Sequence, residues 1–329
     1  MNIYDIAQKA GVSIATVSRV INGSTAVSEK TRNKVTQVMT ELGYTPNVFA
    51  RGLMVNSMKT VGVMTIDVRD LYYAAAIHAI ELEMRERGYD VILCNTGGEI
   101  KEKMKYINLL LQKRVDGIIL VGSVFKEKSD NRHLIETAQK IPLVMINGYI
   151  KGDNIYSIMC DEASAVYKTV EYLHTKGHKQ IVYIYDADTF SGREKLNGFK
   201  KVIQEKGLDF GANQMIKADK GIEGGYKAVE HLFAKKVSFS AIVTAEDSLA
   251  VGAMKKLREA GIRVPEDVAV VGFNNSLLAQ CTTPTLTSID NKVEAISSTA
   301  AKMLVDAIEG KNVPERTVVA PELVIREST

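Results

Sequence analysis

At 329 residues the chain is too long for one small core and implies two or three domains. Its composition, 46% hydrophobic and 25% charged, is that of an ordinary soluble globular protein, and no apolar run reaches the roughly 18 residues of a membrane span. The net charge of +3 is unevenly spread: residues 1–59 hold seven Lys/Arg against three Asp/Glu while the remainder is close to neutral, so a polyanion partner is expected at the N-terminal end.

Three short helices are predicted first. Ile3, Ile6, Ala7 and Ala10 share one helical face, with Asn2 as a cap and Gly11 as a stop. Ser13 can cap a second helix, Ile14–Asn22, that buries Val17, Val20 and Ile21. A third runs from near Ser28 to Leu42 and ends at Gly43. The turn between the first two is very short and flanked by small residues, which suits a helix-turn-helix. A helix laid in the major groove needs its first side chains on base edges and its flanks on phosphates. Ile14 and Ala15 offer apolar contact to thymine methyls, and Arg19 offers a bidentate fork to guanine. Thr16, Ser18 and Asn22 are short donors suited to phosphate oxygens.

The segments IYDIA, AGVS, TVSRVING, VSEKTR, LGY.PN and ARGL, in this order, resemble the lactose repressor/galactose repressor (LacI/GalR) family of bacterial transcription regulators. The resemblance runs to the C-terminus. In residues 46–58, PNVFARGLMVNSM, Asn47 can cap a helix of about two turns, marginal alone and weakened by about 1 kcal/mol at Gly52. The resemblance makes this a hinge helix that orders on DNA, where paired copies enter the minor groove and Leu53 wedges into a base step.

From residue 60 strand-like runs alternate with helical patterns. VGVMTI, VILCN, GIILVG and PLVMIN are followed by a second set, YSIM, IVYIY, AIVTA and VAVVGF. The intervening helices are placed near 72–87, 100–113, 162–176, 193–206, 223–235 and 248–260. Such alternation predicts parallel sheets covered by helices, repeated as two subdomains. The expected fold is thus an all-α helix-turn-helix domain (1–45), a hinge (46–59), and an α/β body of two doubly wound parallel-sheet subdomains (60–329). The resemblance implies the periplasmic-binding-protein arrangement, with three crossovers near 157–162, 287–291 and 317–321. The N-subdomain would hold about 60–158 and 290–318, and the C-subdomain about 159–289 and 319–329.

Ligands of such sheets sit beyond the carboxyl ends of the strands. Tyr72 and Tyr73 follow the first strand, Ser123 the third, and Asn147 ends the fourth. Asp186, Ser191, Arg193 and Lys195 follow IVYIY, Glu246 and Asp247 follow AIVTA, and Asn274 follows VAVVGF. Hydrogen-bonding groups beside aromatic faces suit a small polyol. Many effector-binding relatives carry Arg at the place of Lys195 and Asp at that of Asn274, so the ligand's identity does not transfer.

The expected function is that of a DNA-binding transcription regulator, a repressor, gated by a sugar or related metabolite. Its partners would be a palindromic double-stranded operator and a second copy in a homodimer. Control by a protein corepressor such as a phosphocarrier protein is the alternative. An enzyme of doubly wound fold is the remote one: no phosphate loop, nucleophile elbow or zinc helix motif is present, and His78, His133, His174, His178 and His231 lack a nucleophile partner. No cofactor, metal or catalytic residue is expected. Cys94, Cys160 and Cys281 read as reduced thiols, and with no signal-type leader the location expected is cytoplasmic.

Overall fold

The structure is a computed structural model that describes residues 2–21, 23–44, 57–208, 211 and 213–329. It divides into two compact units, residues 1–58 and 59–329.

In the first unit α1 is Ile3–Ala10, α2 Ile14–Ile21 and α3 Glu29–Glu41. Each start is set by a side chain that satisfies the helix's orphan N–H groups. Asn2 Oδ1 accepts from Tyr4 N at 2.9 Å and Asp5 N at 3.2 Å, and the Asp5 carboxylate accepts from Asn2 N at 2.8 Å. Ser13 Oγ accepts from Thr16 N at 3.1 Å, and Ser28 Oγ from Thr31 N at 3.4 Å. Ile6, Ala7, Ala10, Val17, Val20, Val35 and Val38 form the core. Arg32 donates to the Ser24 carbonyl at 2.5 Å and pins the loop between α2 and α3.

The second unit holds two six-stranded sheets. In chain order its elements are β1 (Thr60–Thr65), α4 (Leu71–Glu86), β2 (Asp90–Asn95), α5 (Ile100–Gln112), β3 (Gly117–Val121), α6 (Arg132–Ala138), β4 (Leu143–Ile146) and β5 (Ile155–Cys160). Then come α7 (Glu162–Thr175), β6 (Ile181–Tyr185), α8 (Phe190–Lys206), β7 (Met215–Lys217), α9 (Gly221–Ala234), β8 (Ala241–Thr244), α10 (Asp247–Glu259), β9 (Ala269–Phe273), α11 (Leu277–Cys281) and β10 (Thr287–Asp290). The last are α12 (Val293–Ile308), β11 (Arg316–Val319) and β12 (Glu322–Val324).

Strand order in the N-half is β11-β5-β4-β3-β1-β2, and in the C-half β12-β10-β9-β8-β6-β7. Every pairing is parallel except β10 with β12. The chain crosses between halves after Cys160, after Asp290 and after Val319.

Strand alternation decides which core each residue joins. From β3, Ile119 and Val121 face Ile80 and Met84 of α4 and Ala300 and Leu304 of α12, while Ile118 and Leu120 face Leu110 of α5 and Leu134 of α6. Both faces are covered, so the strands read as continuous apolar runs. On α4 the side carrying Tyr73, Ile80 and Met84 is buried, and Leu82 is exposed. In the C-half α9 and α10 meet backbone to backbone: a Cβ on Gly252 would lie 1.9 Å from the Ile222 carbonyl, and one on Gly225 would lie 2.0 Å from that of Leu249.

Candidate functional site

On α2 the apolar stripe of Val17 and Val20 turns inward. Ile14, Ala15 and Arg19 are exposed, and Thr16 and Ser18 are half-buried. The Thr16 hydroxyl shares a 2.9 Å hydrogen bond with the capping Ser13 hydroxyl. This face carries two apolar side chains, hydroxyls and one guanidinium at helical spacing, the set that base edges and phosphates accept. Asn22, Asn47 and Leu53 lie outside the described residues.

The second site lies where the carboxyl ends of both sheets face each other. A cavity of about 220 Å³ opens there. That is below the roughly 300–1,000 Å³ of pockets for drug-sized ligands, so it suits a small one. Nine of the eleven sequence candidates line it: Tyr72, Tyr73, Ser123, Asn147, Asp186, Ser191, Lys195, Glu246 and Asn274.

Tyr72 and Tyr73 begin α4, because Asp70 caps it by accepting from Tyr72 N at 2.9 Å. Their rings meet edge to face, centroids 5.2 Å apart. Gly122 makes room for them: a Cβ there would lie 2.9 Å from Tyr73 Cε1, and its φ of 100° favours glycine. Asn147 ties the wall together, donating from Nδ2 to Tyr72 Oη at 3.0 Å and accepting at Oδ1 from Cys160 N at 2.9 Å. Burial pushes both tyrosine phenols far above the usual range, so they stay neutral donors.

The opposite wall is charged. Lys195, buried on α8, donates to the Ala245 carbonyl at 3.1 Å, lies 3.6 Å from Glu162 and sits 3.7 Å above the Phe273 ring centre. Burial, reinforced by the charges of Asp186 and Asp70, raises the Glu246 carboxyl to about 7. Across the cleft Lys220 donates to Asp70 at 2.6 Å, Lys128 to Asp188 at 2.5 Å, and Lys126 lies 4.3 Å from the Phe190 ring centre. The halves are therefore held together by charge as well as by backbone.

Two expectations need correction. Arg193 does not line the cavity; its guanidinium turns back onto the Asp188 carbonyl at 3.0 Å and carboxylate at 3.2 Å. Asp247 borders a neighbouring cavity, and its carboxylate is consumed by Ser276 N at 2.6 Å, Ser276 Oγ at 2.7 Å and Ser288 Oγ at 2.5 Å. It braces the ends of β9 and β10 rather than facing the cavity. Conversely, Asp70, Glu162, Lys220 and Asn291 line the cavity without having been selected from the sequence. Asp70 stands at a readable helix start. Lys220 and Asn291 carry no local signal.

Comparison with known proteins places both sites in context. The family model of bacterial regulatory proteins of the lacI family matches residues 2–47, and that of a periplasmic binding protein-like domain matches residues 170–329. An HTH-type transcriptional regulator of Lachnoclostridium phytofermentans is 46% identical over 331 residues, covering 100% of this chain and 99% of that protein. The lac repressor dimer bound to operator and the anti-inducer ONPF superposes with a TM-score of 0.88 at 26% identity, covering 100% of this chain and 98% of that one. The transcriptional regulator CelR in its cellobiose complex superposes with a TM-score of 0.75 at 28% identity, covering 100% of both chains.

Proposed function

Because this chain belongs to the lacI family of bacterial regulatory proteins and is a DNA-binding transcriptional regulator, we propose that it is a repressor whose operator affinity is set by a small polyol in the cleft between its two halves. One observation carries the reading: a polar, aromatic-walled cavity sits at the carboxyl ends of both sheets, bridged by ion pairs that a change in cleft width would make or break. A ligand with different affinity for the open and closed cleft shifts that equilibrium, and operator binding shifts with it.

The α2 face carrying Ile14, Ala15, Thr16, Ser18 and Arg19 reads the major groove, with Asn22 on a phosphate. Asn47 and Leu53, outside the described residues, belong to the same operator interface in this reading, Leu53 at a minor-groove base step. Two copies read a palindromic site, since one such helix spans too few base pairs for useful specificity. The lac repressor structure contains a dimer on its operator, and the CelR structure contains a disaccharide; both support this reading of a chain with the same fold.

Operator selection from random duplexes, followed by anisotropy titration with and without sugars, tests it. A sugar that changes operator affinity at least fivefold is the expected result. Response to a phosphocarrier protein, with no response to any sugar, would replace the small effector by a protein corepressor. Sugar turnover would revive an enzyme.

A further inference from the structure

We propose that the effector carries a protonated amine: the cleft is built for a small polyol whose ammonium group sits between Asp186 and Glu246, an amino sugar by chemical class. This rests on the reading of the cleft as the effector site and adds the ligand's charge.

The argument is a charge inventory. The cavity is lined by four carboxylates, Asp70, Glu162, Asp186 and Glu246, and two ammonium groups, Lys195 and Lys220. Both cations are committed. Lys195 faces Glu162 at 3.6 Å, and Lys220 is bonded to Asp70 at 2.6 Å. Asp186 and Glu246 remain. Neither has an ion pair among the described residues, and the one hydrogen bond found there to either side-chain carboxylate is a 3.4 Å contact from Ser248 Oγ to Glu246.

Burial and the facing carboxylates oppose the charged form of Glu246 more than the two lysines, each paired elsewhere, favour it. The groups facing Glu246 are Asp186 from the end of β6, Asp70 before α4, Lys220 before α9 and Lys195 on α8; the Tyr73 and Tyr183 phenols also lie in its field. Their net effect, added to burial, keeps a proton on Glu246 up to about pH 7. A ligand cation can take that proton's place. Among the described residues no group of three or more His, Cys, Asp or Glu is placed to hold a metal ion, so an organic cation fits better.

The walls are consistent with an ammonium on a polyol. The Tyr73 ring already has the Lys220 ammonium 5.8 Å from its centre, and aromatic faces attract organic cations. At the cleft floor Asn291 is buried, donates from Nδ2 to Asn274 at 2.9 Å, and leaves its Oδ1 without a partner. A buried acceptor in that state calls for a donor from the ligand, and a sugar hydroxyl or N–H supplies one.

The test is calorimetric titration of the full chain with glucosamine, galactosamine and mannosamine, with their neutral parents glucose, galactose and mannose, and with their N-acetyl derivatives. At least one amine should bind at least tenfold tighter than its parent and its N-acetyl form at about pH 7. Its affinity should fall roughly tenfold at about pH 5.5, where the proton competes, while the parent's should not. Glu246→Gln and Asp186→Asn, each checked for an unchanged circular-dichroism spectrum, should each cost the amine more than tenfold and the parent less than threefold. A neutral sugar that binds as tightly as its amine, and is lost in Tyr72→Ala, overturns the inference and leaves the effector cleft standing. Failure of all three series to bind, with operator affinity responding instead to a phosphocarrier protein, overturns both.

Discussion

Lys220, just before α9 in the C-half, donates to Asp70, the residue that caps α4 in the N-half, at 2.6 Å. The bond spans the cleft between residues 150 positions apart in sequence. Lys220 is about half exposed, so screening limits the pair to roughly 1 kcal/mol or less. Lys220→Ala should therefore leave the fold intact and change effector affinity by no more than about fivefold, an effect that shrinks in high salt. Asp70→Ala should do more, because it also removes a helix cap worth about 1 kcal/mol. Equal effects of the two substitutions would show that the cap adds nothing beyond the bond.

Arg19 stands exposed on α2. If it reads a base, Arg19→Ala should lower specific operator affinity by about 1–3 kcal/mol and relax the preference at one base pair. Binding should also weaken steeply with salt through counterion release. A flat salt response in anisotropy titrations would contradict phosphate contacts by this unit.

Leu53, outside the described residues, is expected to kink the operator. Leu53→Ala should reduce bending in a phased gel-shift series while α2 keeps its sequence preference.

Glu246 sets a pH dependence whose sign follows from its environment. Its carboxyl is raised from an ordinary 4.5 to about 7 in the folded chain. Between those values the folded state holds a proton that the unfolded chain has released, so stability is greatest at the acid end and falls as pH rises through the window, by up to about 3 kcal/mol. Buried Asp247 shifts in the same direction. Thermal melts at about pH 5 and about pH 7.5 should show the fall in the wild type, and a flatter profile in Glu246→Gln.

Gly252 on α10 leaves only 1.9 Å between a would-be Cβ and the Ile222 carbonyl of α9. The obstacle is backbone, which cannot rotate aside. Gly252→Ala should cost at least about 1–3 kcal/mol in urea unfolding. Substitution at Gly211, which has open space around it, should cost far less.

The alternation of strands and helices was legible because continuous apolar runs such as GIILV and IVYIY have few other uses at that length. Capping chemistry marked two starts correctly, Asn2 and Ser13. The helix beginning at Phe190 starts three residues before the expected position because Thr189 caps it, accepting from Gly192 N at 3.2 Å. The missed elements have physical reasons. α12 carries Ser297, Ser298, Thr299 and Ala300 in its middle, so its apolar face at Ile296, Ala301 and Leu304 stands out weakly. β7, β11 and β12 are three or four residues long and exist through pairing with distant strands.

The cleft was legible as a set of strand ends, since the parallel fold brings those ends to one edge. What each polar group does there was not. Lys220 and Asp70, or Asn291 and Asn274, become partners only when the two halves come together. Arg193 and Asp247 looked like ligands until Asp188, Ser276 and Ser288 were seen to occupy them.

Both sheets are completed late and out of turn. The N-half receives β11 only after the C-half has laid down β6 to β10, and the C-half waits for β12. Neither half is a continuous stretch of chain, so no single cut yields a whole one. A chain stopped at Ile308 would leave each sheet short of an outer strand. Exchange of one half for another by a single fusion would therefore split a sheet, and a graft would need every crossing matched at once.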